Sequence, residues 1–392
     1  MAYKLTIESL MLDLYAAFAT AKKNKSSKEY VKVFEGRLRS NLESLAGDLM
    51  NKTYKPEPSS CFIVNRPKKR EVFAAQFRDR VVHHLYYNYT HKLFERTFIY
   101  DTYSCIPNRG THFGIQRLES HIRKETRNYQ NEAYILKLDM RGYFMHINRY
   151  KLSEIAVDSL ESMRYHKISK HGKEVFDDIM DFEFLEWLTR EIVMLNPKEN
   201  CKIVGREDEW IGLDKSKSLF HTPDGCGMPI GNLTSQLFSN VYLNKFDQYM
   251  KRELKCKHYG RYVDDAYIVS SDKKWLMSII PDIKGFLSQE LDLELHMGKL
   301  HMNNSKYGVD FLGAYVRPFR RYVSNNTLRR TEVNMRHIPK DDKDAAFRSI
   351  NSFLGVLVHH KTYNIRKRLF LKDKFLSIGT FDKDITKFTL NN

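Results

Sequence analysis

The sequence predicts an α+β fold, and two observations carry that prediction. Long segments place apolar residues at three- and four-residue steps, the spacing of helices with one buried face. Between them lie short runs of β-branched and aromatic residues that pair around tight turns, as antiparallel hairpins do. Three such pairs are "FIVNRPKKREVFAA" at 62–75, "HYGRYVDDAYIVS" at 258–270 and "GVDFLGAYVRP" at 308–318.

With 392 residues the chain can build a large core, as several domains or as one multi-lobed domain. Lys and Arg number 65 against 48 Asp and Glu, a net charge of +17. A surplus of that size points to a polyanionic partner, and nucleic acid is the commonest. The five cysteines, at 61, 105, 201, 226 and 256, include no CxxC pair and are odd in number. They read as reduced thiols of a cytoplasmic protein. Glu8 and Asp13 interrupt the apolar N-terminal segment, which excludes a secretory leader there. No uncharged apolar run approaches the length of a membrane span, so no membrane partner is expected.

The elements follow in order. Residues 3–22 and 26–50 read as helices, the second with Ser26 and Glu29 as a capping box and a stripe of Phe34, Leu38, Leu42, Leu45 and Leu49. The hairpin at 62–75 carries Lys68, Lys69 and Arg70 in its turn, where a solvated loop and a reach over a ligand both fit. Helical spacing resumes at 78–98. Thr111 is placed to cap the next helix, whose N-terminus beside Arg109 suits a phosphate. Residues 133–138 make a strand mostly apolar on both faces, ending at Asp139. A carboxylate at the end of a buried strand is costly unless paired or bound to a cation. Phe144 follows, as core or as the wall of a site.

Residues 149–195 read as mostly helical, and 196–222 as an irregular polar insertion. Gly227 and Gly231 then allow close backbone approach before a helix over 232–250. Asp264 and Asp265 interrupt an otherwise strand-like pattern. A plain hairpin tip accounts for them, and so does a metal site completed by a third acid. A helix at 273–290, a strand ending near Lys299, the hairpin at 308–318 and a basic helical tail ending in a fraying polar segment complete the chain.

A strand ending in Asp139, a glycine turn and helix, and the Tyr262-Val263-Asp264-Asp265 hairpin stand in an order that resembles the reverse transcriptases from about residue 60 to about residue 320. The resemblance implies a right-hand polymerase: fingers over 1–130, a palm with an antiparallel sheet over 131–323, and a helical thumb over 324–392. It implies that Asp139, Asp264 and Asp265, with the backbone carbonyl of Met140, hold two Mg²⁺ ions. It matches Arg70 to the arginine that clamps the triphosphate, with Lys68 and Lys69 in support. It matches Phe144 to the aromatic that excludes a 2′-hydroxyl, places Ile230, Gly231 and Gln236 beside the incoming nucleotide, and makes Lys299 a candidate proton donor to pyrophosphate. The implied partners are a template RNA, the RNA–DNA duplex and dNTPs.

Within that family, Ile230-Gly231-Asn232-Leu233-Thr234-Ser235-Gln236 departs from the usual Gln before the Gly and the usual Ser-Pro after it. In this, and in "REVFAAQFRDRVVHH" and "YDTYSCIPNRGTH", the chain resembles the enzymes of diversity-generating retroelements. Those copy a specific RNA with errors at adenine and work with a small basic accessory protein. An antiviral defence enzyme templated by a non-coding RNA is the alternative. A silent RNA-binding protein on the same fold would have no reason to keep the acids and Phe144.

Overall fold

The computed structural model describes residues 3–65, 68–338 and 342–391. Helix α1 (Ile7–Lys22) starts on a capping box between Thr6 and Ser9. The single helix expected over 26–50 is two, α2 (Glu29–Gly36) and α3 (Leu38–Met50). The break falls after Gly36, a weak helix former, where Arg37 turns to φ −128°. The capping box expected of Ser26 and Glu29 does not form, because Lys28 occupies the cap position. Strands β1 (Ser59–Val64) and β2 (Arg70–Ala74) form the first hairpin, and α4 (Phe77–Thr97) follows. Helix α5 (Thr111–Glu125) takes Gly110, not Thr111, as its cap. Gly110 lies at φ 145°, ψ −164°, a region open in practice only to glycine.

Strand β3 (Tyr134–Asp139) ends on its acid, as expected. Helices α6 (Tyr143–His146), α7 (Arg149–Met163) and α8 (Phe182–Met194) follow, with an irregular stretch between the last two. The insertion holds β4 (Cys201–Ile203) and short 3₁₀ turns, and α9 (Leu233–Arg252) starts just after Gly231. Strands β5 (His258–Tyr262) and β6 (Asp265–Ser270) form the second hairpin. The next expected helix is split into α10 (Lys273–Ser278) and α11 (Ile280–Leu291), with Pro281 in the first turn of the latter. The strand expected to end near Lys299 does not form: α11 runs to Leu291, Asp292 turns left-handed at φ 51°, only Leu295 bridges, to Met140, and a 3₁₀ turn ends at Lys299.

Strands β7 (His301–Asn304), β8 (Val309–Phe311), β9 (Ala314–Arg317) and β10 (Arg320–Val323) precede the tail. The tail comprises α12 (Asn325–Arg336), α13 (Lys343–Leu357), α14 (Tyr363–Phe370), α15 (Asp373–Leu376) and a closing hairpin, β11 (Gly379–Phe381) and β12 (Phe388–Leu390). That hairpin replaces the expected fraying end. Asn351 of α13 pins it, accepting the Phe388 N–H at 2.9 Å and donating to the Phe388 carbonyl at 3.0 Å.

The chain divides into two units, each built from three stretches. One holds the residues up to Ile106, Asp139–Lys255 and Ile279–Gly298; the other holds Pro107–Leu138, Cys256–Ser278 and the residues from Lys299 on. In the first unit α4 is the central helix, with α1, α7, α8 and α9 packed on it. Its sheet has the order β2-β1-β4, the last pair parallel. In the second unit a four-stranded sheet runs β5-β6-β3-β7, with α5 packed on β5 and β6. Strands β8, β9 and β10 make a second sheet, and the tail helices close on a core of their own that includes Ile350, Leu354, Phe370 and Phe388.

Candidate functional site

In the second unit, Tyr262 pairs with Asp265 across the hairpin, which leaves Val263 and Asp264 as a two-residue turn. Val263 has φ +55°. Glycine is the usual occupant of that geometry, and a β-branched residue there is strained by about 1–3 kcal/mol. Arg261 is fully buried on β5, and its guanidinium donates to the Val263 carbonyl at 2.9 Å. Asp264 and Asp265 remain partly exposed. The Asp265 carboxylate lies 3.3 Å from the Lys137 ammonium of β3. Lys137 also stands 5.8 Å from the centre of the Phe311 ring. In the sheet β3 lies between β6 and β7, and its last residue is Asp139.

Helix α5 fixes the hairpin from behind. His121 lies 3.0 Å from the Tyr267 hydroxyl, and Glu125 lies 3.3 Å from His258. Burial pushes the Glu125 carboxyl up, but bonds from the Ser271 N–H and hydroxyl, with the His258 and Lys257 charges, bring it below its ordinary value. Among the described residues, no three His, Cys, Asp or Glu side chains stand together as a ready metal site. Lys299 is exposed at the end of a 3₁₀ turn.

In the first unit, the Asp139 carbonyl accepts the His296 N–H at 2.8 Å, and the Arg141 N–H reaches the Glu294 carbonyl at 2.9 Å. Between them Met140 is buried and bridges Leu295. Gly142, left-handed at φ 54°, then turns the chain into α6. Phe144 and Ile230 pack against one cluster made of Cys61, Phe73, Met145 and Leu219. The Ile230 carbonyl accepts the Phe73 N–H at 3.0 Å, and the Phe144 carbonyl accepts the Met228 N–H at 2.8 Å. Burial and Glu71 push the Cys61 thiol up to about 12, so it stays protonated.

A Cβ on Gly231 would stand 3.0 Å from Val72, and one on Gly227 would stand 2.5 Å from Leu219. Gln236 is exposed on the first turns of α9, its amide oxygen 3.5 Å from the Cys105 thiol. On the first hairpin, Lys68 and Arg70 are exposed, while Lys69 donates to the Ile211 carbonyl at 2.6 Å.

Three residues matter that the sequence did not single out: Arg261, Lys137 and Glu71. Glu71 is buried and accepts from the Trp210 indole N–H (2.7 Å), the Ser218 hydroxyl (2.8 Å) and the Leu219 N–H (2.7 Å). It holds the insertion onto the first hairpin. The available signal was a charge inside an apolar β run, the same signal that exposed Asp139.

The sequence matches the family described as reverse transcriptase (RNA-dependent DNA polymerase) over residues 65–316. It is similar to protein YkfC of Escherichia coli (strain K12), 24% identical over 317 residues that make up 72% of each chain. Among solved structures it is similar to telomerase from Candida albicans in complex with a TWJ fragment of telomeric RNA. That likeness has a TM-score of 0.47 and 10% identity, and covers 78% of this chain and 56% of that one. Apo telomerase from Candida tropicalis, truncated from its C-terminal domain, gives a TM-score of 0.47 and 13% identity over 72% of this chain and 59% of that one. The chain thus spans under two thirds of those structures' chains. The family match takes in β3, the glycine turn with α9, and the hairpin of Asp264 and Asp265. The chain belongs to the reverse transcriptases, the RNA-dependent DNA polymerases, and its α+β architecture is the right-hand polymerase fold of that family.

Proposed function

We propose that the chain copies a specific structured RNA into DNA by nucleotidyl transfer at a palm site formed by Asp139, Asp264 and Asp265. The observation that carries this reading is the turn of Asp264 and Asp265. It is strained at Val263, braced by buried Arg261, and opens onto β6, the sheet neighbour of the strand that ends in Asp139. Lys137 of β3 already meets the Asp265 carboxylate.

Carboxylate oxygens are the hard donors that Mg²⁺ takes, so the donor set fits two such ions, with the Met140 carbonyl as a further oxygen. Bound there, they would make the primer 3′-hydroxyl more acidic and neutralise the triphosphate. The protein's own groups do the rest. Lys137 holds the Asp265 carboxylate in place against the repulsion of its neighbours. Arg70, with Lys68 and Lys69, grips the triphosphate through the bidentate geometry that guanidinium offers. Phe144 closes the space beside C2′ of the sugar, and Lys299 returns a proton to the departing pyrophosphate. Ile230, Gly231 and Gln236 line the nascent base pair. Residues 1–130 act as fingers, 131–323 as palm and 324–392 as thumb on the RNA–DNA duplex. The Ile230–Gln236 segment favours an error-prone retroelement enzyme, cytoplasmic and served by a small basic accessory protein.

Extension of a DNA primer on an RNA template, with Mg²⁺ and dNTPs, tests the reading. Asp264→Ala is expected to lose extension on the order of 10³-fold or more while RNA binding persists. Extension close to the parent's would overturn the assignment. Sequencing the RNA that co-purifies with the protein separates a retroelement template from a non-coding defence RNA.

A further inference from the structure

The second unit holds a cleft of about 790 Å³ at the other end of its palm sheet. Tyr134 of β3 pairs there with Asn304 of β7, whereas Asp265 meets Lys137 toward the opposite end of β3. At ~3.3 Å per residue, the strand separates its two ends by roughly 17 Å. Asn304, at the end of β7, and Ser305 beyond it line the cleft. The loop between α5 and β3 is one wall, and the tip of the β9–β10 hairpin is the other.

The loop is a built structure. The Thr126 hydroxyl accepts the Tyr129 N–H at 2.9 Å, and the Thr126 carbonyl accepts the N–H groups of Gln130 and Asn131, both at 2.9 Å. Arg127, Asn128 and Tyr129 lie in succession at φ 48°, 60° and 66°. Left-handed geometry costs a non-glycine residue roughly 1–2 kcal/mol, and three in a row are uncommon. This path carries the Tyr129 ring to within 4.5 Å of the Phe319 ring, at 58°. Phe319 is itself left-handed, at φ 63°, and 75% exposed.

A lone exposed phenylalanine means little. This one is set among cations. Lys306, Arg317 and Arg320 line the same cleft, and its one lining acid, Glu132, accepts a bond from the Asn304 amide at 3.2 Å. An exposed ring face, three cations and the side-chain amide of Asn131 make the set that single-stranded RNA requires. A base stacks on the ring, cations take the phosphates, and amides meet base edges and the 2′-hydroxyl. A neutral or apolar partner would leave the three cations without counterparts.

We propose that this cleft binds a nucleotide of single-stranded RNA, its base on Phe319 and its phosphates on Lys306, Arg317 and Arg320. It tethers the RNA away from the polymerising end of the sheet. The inference rests on RNA being the chain's partner, and is independent of the three aspartates.

The test uses the full chain and an unstructured oligouridylate carrying 4-thiouridine, photo-crosslinked and mapped by mass spectrometry. Adducts are expected within 126–132 or 317–320. Phe319→Ala should cut their yield at sub-saturating RNA by roughly 5- to 150-fold, the range measured when a stacking aromatic is removed. Arg317→Glu with Arg320→Glu should abolish them. Phe319 is exposed, so its variant should keep the parent's thermal midpoint and extend a preformed primer–template at the parent's rate. Adducts only elsewhere, a yield unchanged in Phe319→Ala, or equal adducts with thiothymidine DNA of the same sequence would each overturn the proposal. If the polymerase reading alone is wrong, the parent will not extend primers while the Phe319-dependent adducts persist, which upholds the cleft.

Discussion

Val263 adopts a backbone geometry that its side chain resists, and Arg261 is buried beneath it to hold the result. Strain of this kind survives only where surrounding structure over-determines it, and it concentrates at working sites. Ile230 is the opposite case, relaxed and packed, its carbonyl tied to Phe73 and its side chain against the same cluster as Phe144. An apolar contact discriminates between similar substrates by only about 1–3 kcal/mol, whereas a site that must satisfy polar groups discriminates far more. Ile230→Gln is therefore expected to lower the error rate, most visibly opposite template adenine. The measurement is sequencing of cDNA from one RNA template, with errors sorted by template base. An unchanged error spectrum in an active variant would remove Ile230 from fidelity. Asp139, Asp264 and Asp265 were legible because each breaks an apolar β run at a cost that demands a reason. Arg261, Lys137 and Glu71 raise the same cost. Arg261 finds its answer in a turn carbonyl two residues on, set by the turn's geometry, whereas Lys137 and Glu71 find theirs in partners that only the fold brings close: a carboxylate of another strand, and an insertion more than a hundred residues away.

At the scale of elements, Glu71 is the anchor of the 196–222 insertion on the first hairpin. Its carboxylate takes three bonds from Trp210, Ser218 and Leu219. Removing it leaves buried donors unsatisfied, at about 1–3 kcal/mol each. Glu71→Ala should expose the insertion to limited proteolysis between Arg206 and Lys217 well before the rest of the chain, and digestion at the parent's rate would refute the anchor. The contact between α5 and the end of α13 sets a pH limit. His112 and His359 have ring centres 3.6 Å apart, with His360 beside them. Burial first, then the charges of His112, Arg321 and His359, pushes His360 down to about 4, and burial lowers His112 as well. The folded state thus refuses a proton that the unfolded chain accepts from its ordinary value of 6.5 downward. The stabilisation is complete above pH 6.5 and is lost as pH falls toward 4. The thermal midpoint should drop across that window, and His360→Gln should flatten the drop; parallel curves for parent and variant would exclude His360 as the cause. Long helices such as α4 and α9 were legible. The breaks after Gly36 and at Ile279 were not, because the apolar period continues across them. The β11–β12 hairpin was not, because its strands have three residues each and depend on Asn351.

For the molecule as a whole, the net charge of +17 predicts a binding free energy dominated by phosphate neutralisation. RNA affinity should fall by roughly 10²-fold or more over a fourfold rise in salt, read as the slope of log K against log salt in a filter or anisotropy titration. A flat dependence would refute an electrostatic RNA surface. The α+β class was legible from hairpins and helical periods, since both are local. The division into units was not, because each unit is assembled from stretches far apart in the sequence. That assembly has a consequence during synthesis. The chain crosses between the units five times, and the first unit's last stretch ends only at Gly298. At roughly 5–20 residues per second, its opening stretch, complete at Ile106, waits on the order of 10–40 s on the ribosome for that final stretch. A nascent chain halted anywhere in that interval holds no finished core, and the apolar face of α4 has only part of its cover. Slower passage from residue 107 to residue 298 therefore lengthens the time for which that apolar face lacks its cover.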